Sequence, residues 1–222
     1  MKPKSEDLGS DLSGELITAA IAVHREFGPG LNEDDYERAL SIELRSRGIE
    51  HTCQVPLPLI YKGTHLDCGY RIDIVLAGRL LVELKAVEKL HPVHEAQLIT
   101  YLRLSGLKLG LLINFASLML RDGIVRRANS RPQAAKAFER RSPQPSIDPL
   151  ADEIVGAALE VQHVLGTGLL RSAYEAALAH EFGMRGLKVE RRLPVNLIYR
   201  EQLIPSAKEI PMIVNDQLRV HE

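Results

Sequence analysis

Residues 69–87 have the sequence GYRIDIVLAGRLLVELKAV, and this stretch decides the fold. Its two apolar segments, joined by an Ala-Gly pair, predict two β-strands connected by a tight turn. Each segment nevertheless contains charge: Asp73 lies in the first, and Glu83 and Lys85 lie in the second. Burying unpaired charge is costly. The three side chains therefore either build a site together or lie on an exposed sheet face.

Alternation along a strand determines which of these side chains lie together. Glu83 and Lys85 are two residues apart, so on a strand both project from the same face. Asp73 lies ten residues before Glu83, across the turn, and its carboxylate can reach the same point. Two convergent carboxylates form an oxygen-lined site suited to Mg2+ or Mn2+. The alternative is a solvent-facing Glu83–Lys85 pair on an edge strand, and spacing does not choose between the two.

The composition indicates a soluble globular protein. Its 222 residues are 45% hydrophobic and 26% charged, which suits one full domain and part of another. The sequence has no apolar run that could cross a bilayer and no signal core at its start, so we expect a cytoplasmic protein without membrane contact. Cys53 and Cys68 are expected to be reduced thiols. The net charge of -1 gives no global sign of nucleic-acid binding.

The chain contains an internal repeat. Residues 15–84 align without a gap to residues 153–222, and 21 of the 70 aligned positions are identical. By chance, ordinary composition gives an identity at about one position in fifteen. The sequence between the copies is rich in Pro, Ser and Arg and has no apolar periodicity, as is typical of a linker. We therefore predict a first domain at 12–129, a linker at 130–149 and a truncated copy at 150–222.

Apolar periodicity in the first copy predicts the order helix, helix, strands, helix, strand. The segment at 53–76 alternates apolar and polar residues around a Lys-Gly turn, which indicates a hairpin that leads into a third strand. The predicted class is α/β, with a small mixed sheet flanked by helices.

These features resemble a known family. Asp73, nine further residues and then Glu83-x-Lys85 resemble the signature of the PD-(D/E)xK nuclease superfamily. The motif GLNEDDY at 30–36 resembles the one that names the GxxExxY protein family within it, and the similarity extends over about residues 14–129. The resemblance implies a restriction-endonuclease-like core, followed here by a truncated repeat of the same fold.

Two more residues extend the resemblance. QLITY, which contains Gln97 and Tyr101, is similar to the QxxxY element of RecB-like nucleases, where the pair lies beside the substrate. Residues at i and i+4 share one helix face, so both side chains can point toward the sheet edge. Glu33, on the earlier helix, would complete the site as a third acid.

Three nearby residues have a structural explanation. Tyr36 is expected to pack in the core, because Tyr174 occupies the same position in the second copy, where the expected ligands are absent. His94 is expected to bond polar groups of its helix rather than a metal. His91, next to a proline, is expected in a loop.

The resemblance implies a metal-dependent phosphodiesterase acting on nucleic acid, DNA or RNA. Asp73 and Glu83, with the backbone carbonyl of Leu84 and with Glu33, would hold Mg2+ or Mn2+, and Lys85 would position or deprotonate the attacking water. The alternative is a non-catalytic nucleic-acid-binding or assembly module on the same fold. The complete residue set in the first copy favours an enzyme.

The second copy departs from this pattern. At the positions of the three expected acids it has other residues: Arg171, Pro211 and His221. The counterpart of Lys85 falls after residue 222. We therefore expect activity in the first copy alone. For the second copy, pseudo-symmetric packing on the first, a role in a homodimer and a decayed remnant all fit the sequence.

Arginines crowd the end of the first copy and continue in the linker: Arg121, Arg126, Arg127, Arg131, Arg140 and Arg141. Contact with phosphate is one explanation. An ordinary solvated charge run is the commoner one.

Overall fold

The computed structural model describes residues 8–129, 148–194, 197–204, 209–215 and 218–220. These residues form two compact units. The first contains residues 8–60 and 67–129 together with Gly168–Leu170, and the second contains Tyr61–Leu66 with the other described C-terminal residues. Residues 130–147 of the expected linker lie outside the described residues, so the domain boundaries stay a prediction.

The N-terminal half has two helices, then strands, then a third helix and two further strands. In chain order the elements are α1 (Leu8–Phe27), α2 (Glu33–Ser46), β1 (His51–Pro56), β2 (Leu59–Tyr61), β3 (Thr64–Leu66), β4 (Arg71–Leu76), β5 (Leu80–Lys85), α3 (Pro92–Ser105), β6 (Leu109–Asn114) and β7 (Ile124–Ala128). A short 3-10 helix, Leu120–Gly123, precedes β7. The sequence interpretation anticipated this order as far as β6 and did not include β7.

Five of these strands form one mixed sheet in the order β1-β4-β5-β6-β7. Only the β5–β6 pair is parallel. The chain makes that connection through α3, as a parallel crossover requires. Helices flank the sheet, so the expected α/β class and restriction-endonuclease-like core are confirmed. Because β5 is the third of five strands, the alternative of a charged pair on an edge strand is wrong.

One face of the sheet packs in the apolar core, and the other face carries Asp73 and Glu83. On one face, apolar side chains of β4 and β5 pack in a single core with residues of α1 and α2, among them Leu16 and Leu40. By strand alternation, the side chains of Asp73 and Glu83 project from the opposite face. Here the backbone of β6 approaches α3 closely: a Cβ added to Gly110 would lie 2.8 Å from Leu98 Cδ1 of that helix. A larger residue at 110 would have to displace the Leu98 and Leu102 side chains of α3.

The turn between β4 and β5 demands a special backbone. Ala77 and Gly78 have φ angles of 46° and 64°. Two successive left-handed residues are typical of the tightest hairpin turns. This turn sets the register in which Ile74 lies opposite Val82.

The second unit repeats the beginning of this order. Its elements are α4 (Pro149–Leu165), α5 (Arg171–Met184), β8 (Val189–Pro194), β9 (Leu197–Tyr199), β10 (Gln202–Ile204), β11 (Glu209–Val214) and β12 (Leu218–Val220). One sheet has the order β12-β11-β8, and β9 pairs with β10. A small core forms around Ile154, Phe182, Met212 and Val214. Across the described ranges, no helix combines the length and apolar character that a membrane span needs.

Candidate active site

Asp73 and Glu83 occupy adjacent central strands. The antiparallel register pairs Ile74 with Val82, and Asp73 and Glu83 are the next residues along the two strands. The backbone N–H of Leu84 donates to Asp73 Oδ2 at 2.7 Å. The turn geometry and a backbone hydrogen bond therefore hold the two acids on neighbouring strands.

Glu83 is a buried acid with one unsatisfied oxygen. Its side chain belongs to a residue that is only 1% exposed. Gln97 Nε2 donates to Glu83 Oε2 at 2.9 Å and lies 3.2 Å from the hydroxyl of Tyr101, one helical turn further along α3. Glu83 Oε1 has no hydrogen-bond partner although it is fully buried. A buried oxygen without a partner is costly, so this atom is open to a further contact.

The two acids share an environment that opposes ionisation. Burial raises the pKa of Glu83 well above its ordinary value, and the negative charge of Asp73 raises it further, against the opposite effect of Lys85. Burial also raises the pKa of Asp73, although the N–H of Leu84 and the charge of Lys85 lower it. A positive charge placed between the carboxyl groups would reverse this effect and favour their ionised forms.

Lys85 lies at the end of β5, and its side chain is 12% exposed. Its ammonium donates to the carbonyl oxygen of Leu84 at 2.8 Å and to Glu33 Oε2 at 3.3 Å. The other oxygen of Glu33 accepts from the backbone N–H of Ala86 at 3.3 Å. Glu33 thus bonds both Lys85 and the backbone of the next residue, at the end of β5.

The position of Glu33 follows from the start of α2. Asn32 caps this helix, because its Oδ1 accepts the N–H of Asp35 at 2.9 Å. Glu33, Asp34 and Asp35 fill the first turn, where the helix dipole favours negative charge. Glu33, the first residue of the helix, therefore presents its carboxylate to Lys85, and the Asn32 cap fixes where the helix begins.

The comparison with family models identifies the chain. A model described as the PD-(D/E)XK nuclease superfamily matches residues 10–127 and also residues 148–221. The chain belongs to the PD-(D/E)XK nuclease superfamily. Searches of curated proteins and of solved structures found no match.

Nucleases of the PD-(D/E)XK superfamily typically use divalent metals such as Mg2+. The residues present fit such an ion: the buried carboxyl group of Glu83 lies near the partly buried one of Asp73, and Glu83 Oε1 lacks any other partner. All their donor atoms are hard oxygens. Among the described residues, no group of three or more His, Cys, Asp or Glu side chains has metal-binding geometry. The fit therefore rests on Asp73, Glu83 and the carbonyl of Leu84, while Glu33 bonds Lys85 and Ala86.

The tyrosine of the GLNEDDY motif is structural. Tyr36 is fully buried and stacks on Phe115 with a ring-centroid distance of 4.4 Å. Its hydroxyl donates to the carbonyl of Gly28 at 2.6 Å, and Leu31 N–H donates to it at 3.2 Å. Tyr36 therefore closes the turn between α1 and α2, which fits the core-packing explanation.

The two histidines near the site cap α3. His91 is the N-cap residue, and its backbone N–H donates to His94 Nδ1 at 3.1 Å. This arrangement fits the expectation of a helix partner for His94. It also orients the helix that carries Gln97.

Asn114 is a positioning residue that the sequence interpretation missed. It is 2% exposed at the end of β6, where it pairs with Lys85. Its Nδ2 donates to the carbonyl of Val87 at 2.7 Å, and its Oδ1 accepts the N–H of Val87 at 3.1 Å. Asn114 therefore fixes the backbone just after Lys85. Its signal was a single polar residue at the end of the apolar run LGLLIN.

The second copy has no equivalent constellation in its described residues. Arg171, at the position of Glu33, begins α5 and pairs with Glu175 at 2.8 Å. Pro211, at the position of Asp73, lies in β11. His221 lies outside the described residues.

Two of the arginines at the end of the first copy, Arg126 and Arg127, have partners within it. Arg127 forms an ion pair with Glu95 of α3, and Arg126 donates to the hydroxyl of Ser13 at 2.7 Å. Arg131, Arg140 and Arg141 lie outside the described residues. The described contacts favour an ordinary charge run over a phosphate-binding patch.

Proposed function

We propose that this protein is a metal-dependent nuclease whose activity lies in its first copy. The observation that supports this most strongly is Glu83, a buried acid with one unsatisfied oxygen beside Asp73 on the central strands. Membership of the PD-(D/E)XK nuclease superfamily supports a nuclease-like function. Nucleic acid, DNA or RNA, is the proposed substrate, and Mg2+ or Mn2+ is the proposed cofactor.

Asp73, Glu83 and the Leu84 carbonyl would hold the cation. When bound, a divalent cation offsets the negative charge of a phosphate and lowers the pKa of bound water. Gln97 fixes the orientation of the Glu83 carboxylate through its 2.9 Å hydrogen bond. Tyr101, which shares Gln97 as a partner, supports that orientation from the same helix face.

Lys85 is the proposed proton-handling and charge-stabilising residue. In the structure its ammonium is held by Glu33 and by the Leu84 carbonyl, with little exposure to water. An ammonium in this position can orient a water molecule or stabilise negative charge on a phosphate oxygen. Glu33 is proposed to position Lys85.

A cleavage assay with the full chain tests this proposal. Wild type, Lys85→Ala and Lys108→Ala are incubated with DNA and RNA substrates in Mn2+. Lys108 is an exposed lysine just before β6, at the opposite end of the parallel pair that joins Lys85 to Asn114, so its variant is a matched control. We expect cleavage by wild type and Lys108→Ala, and a loss of about 100-fold or more for Lys85→Ala.

The other outcomes are equally informative. Undiminished cleavage by Lys85→Ala would indicate a contaminant or a different site and would contradict the proposal. If no protein cleaves but filter binding shows oligonucleotide affinity that falls with added salt, the non-catalytic nucleic-acid-binding module is the better description. Binding that does not respond to salt would argue against nucleic acid as the partner.

A further inference from the structure

The tip of the β2–β3 hairpin makes a buried contact inside the second unit. Tyr61 hydroxyl and Lys62 ammonium both donate to Glu181 Oε2, each at 2.9 Å. Lys62 also pairs with Glu160 at 3.1 Å, and Arg185 Nε donates to Glu181 Oε1 at 3.0 Å. Glu181 is only 3% exposed. A buried carboxylate with three donors of this kind forms a strong and directional contact.

The second copy carries a hairpin tip of the same chemistry. The offset between the copies places Tyr199 and Arg200 at the positions of Tyr61 and Lys62. Lys62 Nζ lies 5.6 Å from the centre of the Tyr61 ring, and Arg200 Cζ lies 5.4 Å from the centre of the Tyr199 ring. Both tips therefore present a tyrosine with a cation over its face. Tyr199, however, is 62% exposed, whereas Tyr61 is fully buried.

The first copy carries a helix face like the one that Tyr61 contacts. Glu43 and Arg47 of α2 occupy the positions of Glu181 and Arg185 of α5. Arg47 Nε donates to Glu43 Oε1 at 2.7 Å, which reproduces the bond between Arg185 and Glu181. Within the part of the chain that the structure describes, Glu43 Oε2 has no hydrogen-bond partner, although its counterpart on Glu181 accepts two.

The residue before Glu43 takes the position of a residue that contacts Tyr61 in the second unit. In α5, the ring of His180 meets the edge of Tyr61 at a centroid distance of 6.1 Å and an angle of 87°. Ile42 takes the position of His180 in α2, and it is 64% exposed. An exposed isoleucine beside a partly exposed glutamate is a surface suited to a tyrosine ring with a hydroxyl donor and a neighbouring cation.

We propose that the Tyr199–Arg200 tip of one chain docks on the Ile42–Glu43 face of α2 in a second copy of this chain. The Tyr199 hydroxyl and the Arg200 guanidinium would donate to Glu43, as Tyr61 and Lys62 do to Glu181. The occupant is a second copy because each chain carries both the exposed tip and its complementary face. Two reciprocal contacts of this kind close a twofold dimer. This proposal does not depend on nuclease activity.

Charge reversal in the full chain tests the contact. Arg200→Glu places a carboxylate against Glu43, and Glu43→Lys places an ammonium against Arg200, so each variant alone faces repulsion at both contacts. We expect sedimentation equilibrium to show wild type at twice the 24.7 kDa chain mass. Each variant should raise the dissociation constant by at least about tenfold. An equimolar mixture of the two variants should restore the dimer, because both contacts then pair opposite charges.

Two controls make this test decisive. Lys108→Glu reverses an exposed charge outside the proposed contact and should leave the dimer unchanged. Circular dichroism of each variant checks that the fold is retained, and recovery in the mixture would itself show that both variants fold. A monomeric wild type, a dimer that both single variants leave intact, or a mixture that stays monomeric would overturn the proposal. Assemblies larger than two chains with the same variant response would support the contact and show that it does not close.

Discussion

Replacing Glu83 by glutamine tests whether the buried charge of this acid destabilises the protein when no metal is bound. Glu83→Gln keeps the shape of the side chain and the acceptor for Gln97, and it removes the charge. Because burial raises the pKa of Glu83, the folded protein retains a proton at pH values where the unfolded chain has released it. The free energy of unfolding of the wild type therefore falls as the pH rises from about 4.5, the ordinary glutamate value, to the folded pKa.

The size of the effect follows from the raised pKa. One released proton changes the free energy of unfolding by at most about 1.4 kcal/mol per pH unit. Because the pKa of Glu83 lies well above its ordinary value in the folded protein, the wild type should lose at least about 1.4 kcal/mol relative to Glu83→Gln between pH 4 and pH 8. Because Asp73 and Glu83 interact, the comparison reports the titration of Glu83 together with its coupling to Asp73.

Urea unfolding followed by circular dichroism gives the required free energies, since the chain has no tryptophan for fluorescence. The titration is done in a chelator, with Glu88→Gln as the control because Glu88 is exposed near the same strand end. At pH 8, added Mg2+ should stabilise the wild type and the control, and should have little effect on Glu83→Gln. Parallel pH profiles for wild type and Glu83→Gln would refute the argument, as would equal stabilisation by Mg2+.

Two further substitutions, each paired with a comparison variant, test how the fold supports the site. Tyr36→Phe should lower the free energy of unfolding by about 1–3 kcal/mol, because the Gly28 carbonyl and the Leu31 N–H lose their shared partner. Tyr174→Phe tests the equivalent bond in the second copy. An unchanged urea midpoint for Tyr36→Phe would contradict this role. Gly110→Ala should destabilise the protein by about 1–3 kcal/mol through its contact with Leu98. Gly14→Ala, in open space on α1, should stabilise the protein by about 0.5–1 kcal/mol. Equal melting temperatures for the two variants would show that the side chains of α3 move aside freely.

Local periodicity accounts for the parts of the site that could be predicted. Asp73, Glu83 and Lys85 lie on two strands joined by one tight turn, so a period of two and a short connection bring them together. Gln97 and Tyr101 are one helical turn apart, and the helix period alone puts them on one face. In both cases the side chains meet because of backbone geometry within about thirty residues of sequence.

The contacts that could not be predicted join distant segments. Glu33 reaches Lys85 across 52 positions, and Asn114 reaches Val87 across 27. The strand β7 was missed because its sequence, IVRRA, has two arginines where an alternating strand shows apolar residues. These features depend on how α2 and β6 pack against the central strands, which no local pattern specifies.

The two copies separate what the fold requires from what the chemistry requires. Tyr174 donates to the carbonyl of Gly166 at 3.0 Å, just as Tyr36 donates to Gly28. The motif tyrosine therefore persists where the acid of the same motif has become Arg171. Since Arg171 pairs with a glutamate of its own helix, this position needs no carboxylate to start a helix. Glu33 is thus a carboxylate because Lys85 and the strand end beside Asp73 and Glu83 need it.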